Sequence, residues 1–377
     1  MEKLKIAVIG TGSRAGAHLS TIPKLDSIYQ LVGVCDIDED RARDVAQRMQ
    51  VSPYTDPEEL IKSESPDVVL VAIPPDGHHV ITEIAASHGV HIISETPIAT
   101  TLPCADRMIS AAAQYGVSLE VSENVWRWPH ERLKREIVDA GLIGEITHAH
   151  LWYTSGSYHG MNAIRTLVQR EAVRVIGHSK EIGGRSWEVG VVEFENGVSL
   201  VYEFPTRRGR NHWEIDGTKG ALVGQELQLY DGGETKRYPI ETITTEVDGV
   251  IVVEGARVDT DPPIVWENPL KEFGLRDADD VSRATAHYST YRAAVEGIPP
   301  EYGAINARKD QEILIALRES ARRGGEPVEI PLTEITRNEE AQHKVYREQY
   351  GVDVFDPIEK QKSVLFPRQG VAWRTIA

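Results

Sequence analysis

Three groups of residues in this 377-residue chain have types and spacings that can do chemistry. The first is Gly10-Thr11-Gly12-Ser13-Arg14-Ala15, directly after the apolar run Leu4 to Ile9 and directly before an amphipathic stretch. Gly10 permits a tight turn, Gly12 lets the backbone approach a pyrophosphate, and the small Ala15 allows close helix–strand packing. The N-H groups and dipole of the helix that follows would face the phosphates. Asp36, with Ile37 beside it, closes the next apolar run, where a carboxylate can accept ribose hydroxyls and repel a 2′-phosphate. This pattern predicts a nicotinamide dinucleotide, NAD in preference to NADP. Arg14 is the one nearby group that would accommodate the extra phosphate.

The second group lies at later strand ends. Glu95 follows His91-Ile-Ile-Ser94 and is expected at the carboxyl end of a parallel strand, within reach of the nicotinamide ribose. Trp126 and Arg127 follow the run Val117 to Val121, and their aromatic face and guanidinium fork suit a sugar or carboxylate; packing at a domain junction is the alternative. The third group is histidine-rich. His148 and His150 alternate with Trp152 along a strand, so they share a face, with His159 following. With no carboxylate or cysteine at ligand spacing, sheet-face or subunit-interface packing is expected there and no metal.

These residues need a frame. Strand-like and helix-like runs alternate through residues 4–121, which predicts a doubly wound parallel sheet, the α/β Rossmann class. The pattern then changes to alternating strands separated by Gly, Asn and Asp, from Ile146 to Ile215, followed by helices over Ala284 to Val295 and Asp310 to Arg323. That predicts an α+β second domain with a large, mainly antiparallel sheet. Boundaries are expected at 1–124, 125–340 and a tail, 341–377, packing on the body or a neighbouring subunit. Trp266 to Pro269 is expected in a long connection, as a lid. Val191, Phe194, Leu200 and Tyr202 are expected to form an exposed sheet face that makes a homodimer or homotetramer.

Composition excludes several classes. A net charge of -17 argues against nucleic acid and anionic membrane as partners. The basic cluster Arg207, Arg208 and Arg210 reads as a solvated turn. Neither a membrane span nor a signal peptide is legible, and two distant cysteines fit a reducing cytoplasm.

Further motifs resemble the Gfo/Idh/MocA oxidoreductases. Ile73-Pro74-Pro-Asp-Gly-His78 is similar to the family's TPPxxH, and Glu95-Thr96-Pro97, seventeen residues beyond His78, to its EKP. Asp36-Ile-Asp38 with Arg41-Ala42 resembles DxDxxRA; Asn124-Val-Trp126-Arg127-Trp-Pro129 resembles N-x-R-F/Y-x-P. Leu142 to Ile146, Gly217 to Gly220 and Ser320 to Val328 carry the resemblance through the second half. It implies hydride transfer between NAD(P) and a hydroxyl or keto carbon of a sugar, cyclitol or sugar derivative. It implies cofactor contacts from Ile73, Pro74, His78, Thr96 and Asn124, and a cis peptide before Pro97. It aligns His159 with a catalytic histidine and Asn162 and Arg165 with frequent polar positions, with Tyr158 orienting substrate. Two positions depart: Thr96 replaces the EKP lysine, and Ser155 replaces the DxGxH aspartate. His159 is left as acid/base. Two other readings stay open: an enzyme whose bound NAD recycles during elimination, epimerisation or glycoside cleavage, and an inactive sugar- or nucleotide-binding regulator.

Overall fold

The structure is a computed structural model, and it describes residues 3–154, 156–205 and 211–367. Two compact units emerge. Unit 1 comprises the chain through Glu123, Arg283–Arg308 and the segment from Glu339 onward; unit 2 comprises Asn124–Ser282 and Lys309–Asn338.

Unit 1 is built on six parallel strands: β1 (Leu4–Ile9), β2 (Tyr29–Cys35), β3 (Ser52–Tyr54), β4 (Val68–Val71), β5 (His91–Ser94) and β6 (Leu119–Val121). Their order is β3-β2-β1-β4-β5-β6. The run Val68-Val-Leu-Val71 is wholly buried, as a parallel strand covered on both faces requires. The helices are α1 (Ser13–Thr21), α2 (Glu39–Met49), α3 (Pro57–Glu64), α4 (His78–Ser87) and α5 (Leu102–Tyr115). Local sequence fixes their starts: Asp38 and Asp56 accept the Arg41 and Glu59 N-H groups as N-caps of α2 and α3. Strand order reverses between β1 and β4, the switch point where such sheets bind ligands. Gly10 leaves β1 there at φ +92°, and a side chain at that position would overlap the Ala72 carbonyl.

Two later segments also belong to unit 1. Buried Glu120 of β6 accepts the Ser289 hydroxyl at 2.6 Å and the Gly303 N-H at 3.0 Å. This ties in α8 (Ala278–Glu296) and the start of α9 (Gly303–Arg322). Glu339, in α10 (Arg337–Tyr350), accepts the Leu102 N-H at 2.8 Å and so caps α5 from outside. A short helix, Ile358–Gln361, follows, and Gln361 meets His79 at 3.0 Å.

Unit 2 holds a sheet of eleven strands among the described residues. They are β7 (Ile146–Trp152), β8 (Ala172–Ile182), β9 (Arg185–Phe194), β10 (Ser199–Phe204), β11 (His212–Gly217), β12 (Gly220–Val223), β13 (Glu226–Asp231), β14 (Glu234–Val247), β15 (Val250–Val258), β16 (Ile264–Glu267) and β17 (Val328–Glu329). The order is β16-β15-β14-β13-β12-β11-β7-β10-β9-β8-β17, with β7 and β10 the parallel neighbours. Helices α6 (Pro129–Asp139), α7 (Tyr158–Val168) and the later part of α9 lie against one face. Gly177 of β8 lets α9 approach, since a Cβ there would meet the Leu317 carbonyl.

Two expectations change. Phe194, Leu200 and Tyr202 are buried in the same chain's core. Val191 lies three residues from Phe194, an odd separation, and a period-two strand puts it on the opposite face. The outer face instead carries Val189 and Val201, which are exposed. Residues beyond Ile215 are also not a long connection: β12 to β16 extend the sheet, and Trp266 lies in β16. Their alternation is diluted because most of β14 is exposed and polar. Arg207, Arg208 and Arg210 lie outside the described residues.

The helix Tyr158–Val168 is fixed to α9 by a buried pair, Arg165 Nε donating to Asp310 Oδ1 at 2.6 Å, and Asn162 donates to Asp310 Oδ2 at 3.1 Å. Asp310→Ala removes the close partner of a buried guanidinium, whose other carboxylate, Glu171, lies 3.6 Å away, and is expected to lower stability by about 3 kcal/mol, measured by urea unfolding of parent and variant.

Candidate dinucleotide site and its surroundings

The turn after β1 and the end of β2 form one hydrogen-bonded assembly. Thr11 donates its N-H and hydroxyl to Asp36 Oδ2, at 2.9 and 2.8 Å. The Asp38 N-H donates to Asp36 Oδ1 at 3.0 Å, and the Gly10 N-H to the Cys35 carbonyl at 2.7 Å. The carboxylate is thereby held still beside the glycine turn. Gly12 opens α1 with no side-chain cap, which leaves the first-turn amides for an anion. Ala15 is fully buried, in keeping with close helix–sheet contact. A cavity of about 600 Å³ is lined by Gly10, Gly12, Asp36, Ile37, Ile73 and Pro74, a size suited to a cofactor. These features fit a dinucleotide: an amide-lined turn for the diphosphate and a fixed carboxylate for a ribose diol.

The same cavity has two walls that local sequence did not indicate. Arg41, whose guanidinium is 3.7 Å from Asp36 Oδ1 and 2.6 Å from Asp38, is the basic group at the carboxylate. The other wall is the C-terminal segment Lys362 to Pro367. Phe366 is buried, with its ring 5.1 Å from that of Tyr350, whose hydroxyl donates to Asp76 at 3.0 Å.

Glu95 follows β5 as expected, but its partners come from afar. Arg14 Nε donates to Glu95 Oε1 at 2.9 Å, and His18 Nε2 lies 2.6 Å from the same oxygen. His18 Nδ1 is 3.0 Å from His287 Nε2. Burial opposes charge on Glu95, yet the His18 bond, the Arg14 guanidinium and the Thr96 N-H outweigh it and hold the carboxyl at about 2. Burial also pushes His18 below its ordinary value, despite Glu95. A neutral His18 with its proton on Nε2 satisfies both facts: it donates to Glu95 and accepts from His287. Arg14 and His18 are four residues apart, one turn of α1, and this spacing is the local signal that would have paired them.

His78 is fully buried rather than lining the crevice. Its Nδ1 lies 3.1 and 3.2 Å from the Pro97 and Ile98 carbonyls, and its Nε2 3.0 Å from that of Ile73. It binds the loop after β4 to the loop after β5, so it positions the crevice through Ile73. Thr96 is half-buried and donates its N-H to Glu95 Oε2 at 3.0 Å; the Thr96-Pro97 peptide is cis.

The remaining residues singled out in the sequence lie in unit 2. Asn124 donates to Asp279 Oδ1 at 3.0 Å, and the Trp128 indole donates to the same oxygen at 2.7 Å. Arg127 is fully buried, while the half-buried Trp126 ring is covered by the Arg132 guanidinium at 4.0 Å. Asn162 and Arg165 are occupied by Asp310. Tyr158 and His159 begin their helix half-buried, ring centroids 4.4 Å apart. Ser155 lies outside the described residues. Gly160, next to His159, packs on Leu151 and Tyr153, so this helix sits on the inner face of β7. His148 and His150 point to the outer face, which separates them from His159.

Glu95 also sets a pH dependence. Its folded-state value, about 2, lies below the ordinary 4.5. Its stabilising contribution is therefore complete above 4.5 and is lost as pH falls toward 2. In acid unfolding, Glu95→Gln is expected to be less stable than the parent near neutrality, with the gap closing across that window.

Residues 4–123 match the model of an oxidoreductase family with an NAD-binding Rossmann fold, Gfo/Idh/MocA. Inositol 2-dehydrogenase 2 of Saccharopolyspora erythraea is 25% identical over 318 residues, covering 77% of this chain and 90% of that protein. The 2,7-anhydro-N-acetylneuraminate hydratase of Mediterraneibacter gnavus is 28% identical over 151 residues, 40% of this chain and 39% of that one. Levoglucosan dehydrogenase, solved with NADH and L-sorbose, shares the fold with a TM-score of 0.71 at 19% identity, covering 88% of this chain and 100% of that one. The parallel sheet, the amide turn and the fixed Asp36 carboxylate agree with the match of residues 4–123 to the Gfo/Idh/MocA model of NAD-binding oxidoreductases.

Proposed function

We propose that this oxidoreductase uses NAD to oxidise or reduce a hydroxyl-bearing carbon of a sugar, cyclitol or sugar derivative. The observation that carries the cofactor half is the Asp36 carboxylate, fixed by Thr11 and Asp38 beside an uncapped helix start. A pre-placed acceptor pair matches the 2′,3′-diol of NAD and opposes a 2′-phosphate. The substrate class rests on the names of similar proteins, inositol 2-dehydrogenase and levoglucosan dehydrogenase.

Bound NAD supplies the hydride acceptor. The chain's part is to hold the dinucleotide and to move a proton. Gly10, Thr11, Gly12, Ser13 and Ala15 form the diphosphate turn, and Asp36 holds the ribose, with Ile37 beside it. Glu95 and Thr96 stand at the end of β5, where the nicotinamide half is expected. Glu95 is kept anionic and immobile by Arg14 and His18. Thr96 offers a hydroxyl where the EKP motif that this segment resembles has a lysine, so it can align a substrate oxygen but cannot stabilise it by charge. His159 then acts as acid/base at the substrate hydroxyl, with Tyr158 orienting it. Asn162 and Arg165 support this helix through Asp310 rather than meeting substrate themselves.

One observation favours a second reading, in which NAD stays bound and recycles through a transient keto sugar during elimination, epimerisation or glycoside cleavage. The segment Lys362 to Pro367 walls the dinucleotide cavity, and one relative is named as a hydratase. Net NADH accumulation with substrate supports the first reading; product without it supports the second.

Three outcomes follow. His159→Asn should lower kcat by about 100-fold or more with NAD affinity unchanged, in steady-state kinetics and calorimetry; retained turnover removes the acid/base role. Asp36→Ser should shrink the preference for NAD over NADP by about tenfold, read as the ratio of the two Kd values. Phe366→Ala should speed NAD release in stopped-flow fluorescence, because it removes the buried anchor of the wall.

A further inference from the structure

The outer face of the unit 2 sheet gathers donors from two strands. In the antiparallel β7–β11 pair, Glu214 lies opposite His150, Asp216 opposite His148, and His212 opposite Trp152. The alternation that buries Ala149, Leu151, Trp213 and Ile215 turns the three histidines and two carboxylates to the other side. There His148 Nε2 lies 3.3 Å from Asp216 Oδ2, His150 Nδ1 3.7 Å from Glu214 Oε2, and His212 Nε2 2.9 Å from Glu214 Oε1. One donor atom each from His150, Glu214 and Asp216 fall within 4.8 Å of one another.

We propose that His150, Glu214 and Asp216 bind a divalent transition-metal ion, zinc by preference, across β7 and β11. Mixed imidazole and carboxylate donors suit a borderline ion of this kind, whereas magnesium and calcium favour all-oxygen sets. In a tetrahedral shell, bond lengths of about 2.0–2.2 Å place neighbouring donors about 3.3–3.6 Å apart. From separations within 4.8 Å, the half-buried side chains close by up to about an ångström through rotamer adjustment, while the paired strands keep their Cβ atoms in place. His148 stands beside these three, its Nε2 3.3 Å from Asp216 and its ring 5.3 Å from that of His150, and by turning its exposed side chain it would supply a fourth ligand. His212 bonds the other oxygen of Glu214 and orients that carboxylate, as outer partners do at metal sites. The ion balances the two carboxylates and cross-links the strands on the face that β9 and β10 continue with Val189, Val191 and Val201.

The test uses the full chain, stripped with a chelator and titrated with zinc chloride by calorimetry. One ion per chain is expected. His150→Asn and Glu214→Gln should each weaken binding at least about tenfold, since loss of even an outer partner costs that much. His88→Asn, at an exposed His88–Glu58 pair in unit 1, should leave it unchanged. Cobalt(II) in place of zinc should give a visible absorption band in the parent that the His150→Asn/Glu214→Gln double variant lacks. Far-UV circular dichroism checks that the variants keep the sheet. Failure of the parent to bind zinc overturns the proposal, as does binding that survives the double variant with unchanged affinity and cobalt spectrum.

Discussion

A carboxylate taken out of bulk water needs hydrogen-bond donors, and Asp36 finds them in the turn it serves. Thr11 contributes two and Asp38 one, so the residue that would read the ribose also fixes the loop that would hold the diphosphate. The turn is possible because Gly10 takes a positive φ against the Ala72 carbonyl, and the strand order places β1 and β4 side by side beneath it. Each part depends on the others: without the glycine, the turn cannot close; without the carboxylate, its Thr11 N-H loses its partner.

The second buried carboxylate, Glu95, meets the same constraint differently. It stays charged because an arginine, a histidine and a backbone N-H converge on it. His18 can donate to it only with the tautomer that also lets it accept from His287, so three side chains from separate parts of unit 1 share one protonation pattern. With threonine next in sequence, the charge of Glu95 is balanced from α1 rather than by its neighbour. This gives the segment around His287 a reason to belong to unit 1, reinforced by the Tyr29 hydroxyl on the His287 carbonyl at 2.8 Å.

The C-terminal segment shows how an unremarkable polar stretch gains a role by position. Residues after Glu339 carry little periodic signal, yet Glu339 caps α5, Tyr350 reaches Asp76 and Phe366 packs beside Tyr350. Those anchors bring Lys362 to Pro367 to the edge of the cavity that Gly10 and Asp36 line.

Local order along the chain determined the strand–helix alternation of unit 1, the glycine turn, the place of Asp36 and the strand-end position of Glu95, because each rests on residues within a few positions of one another. It also determined that His148 and His150 share a face. Tertiary structure alone decided what meets them. His18 and His287 are 269 residues apart, and no periodicity links them. His78 matched a crevice motif, but the loops after β4 and β5 close around it and turn it into a buried brace. The carboxylates opposite His148 and His150 come from β11, more than sixty residues later, through a register that hydrogen bonding between strands sets. Likewise, the choice between core and surface for Phe194, Leu200 and Val191 follows from which face the helices cover, a fact that lies in the packing and not in the alternation itself.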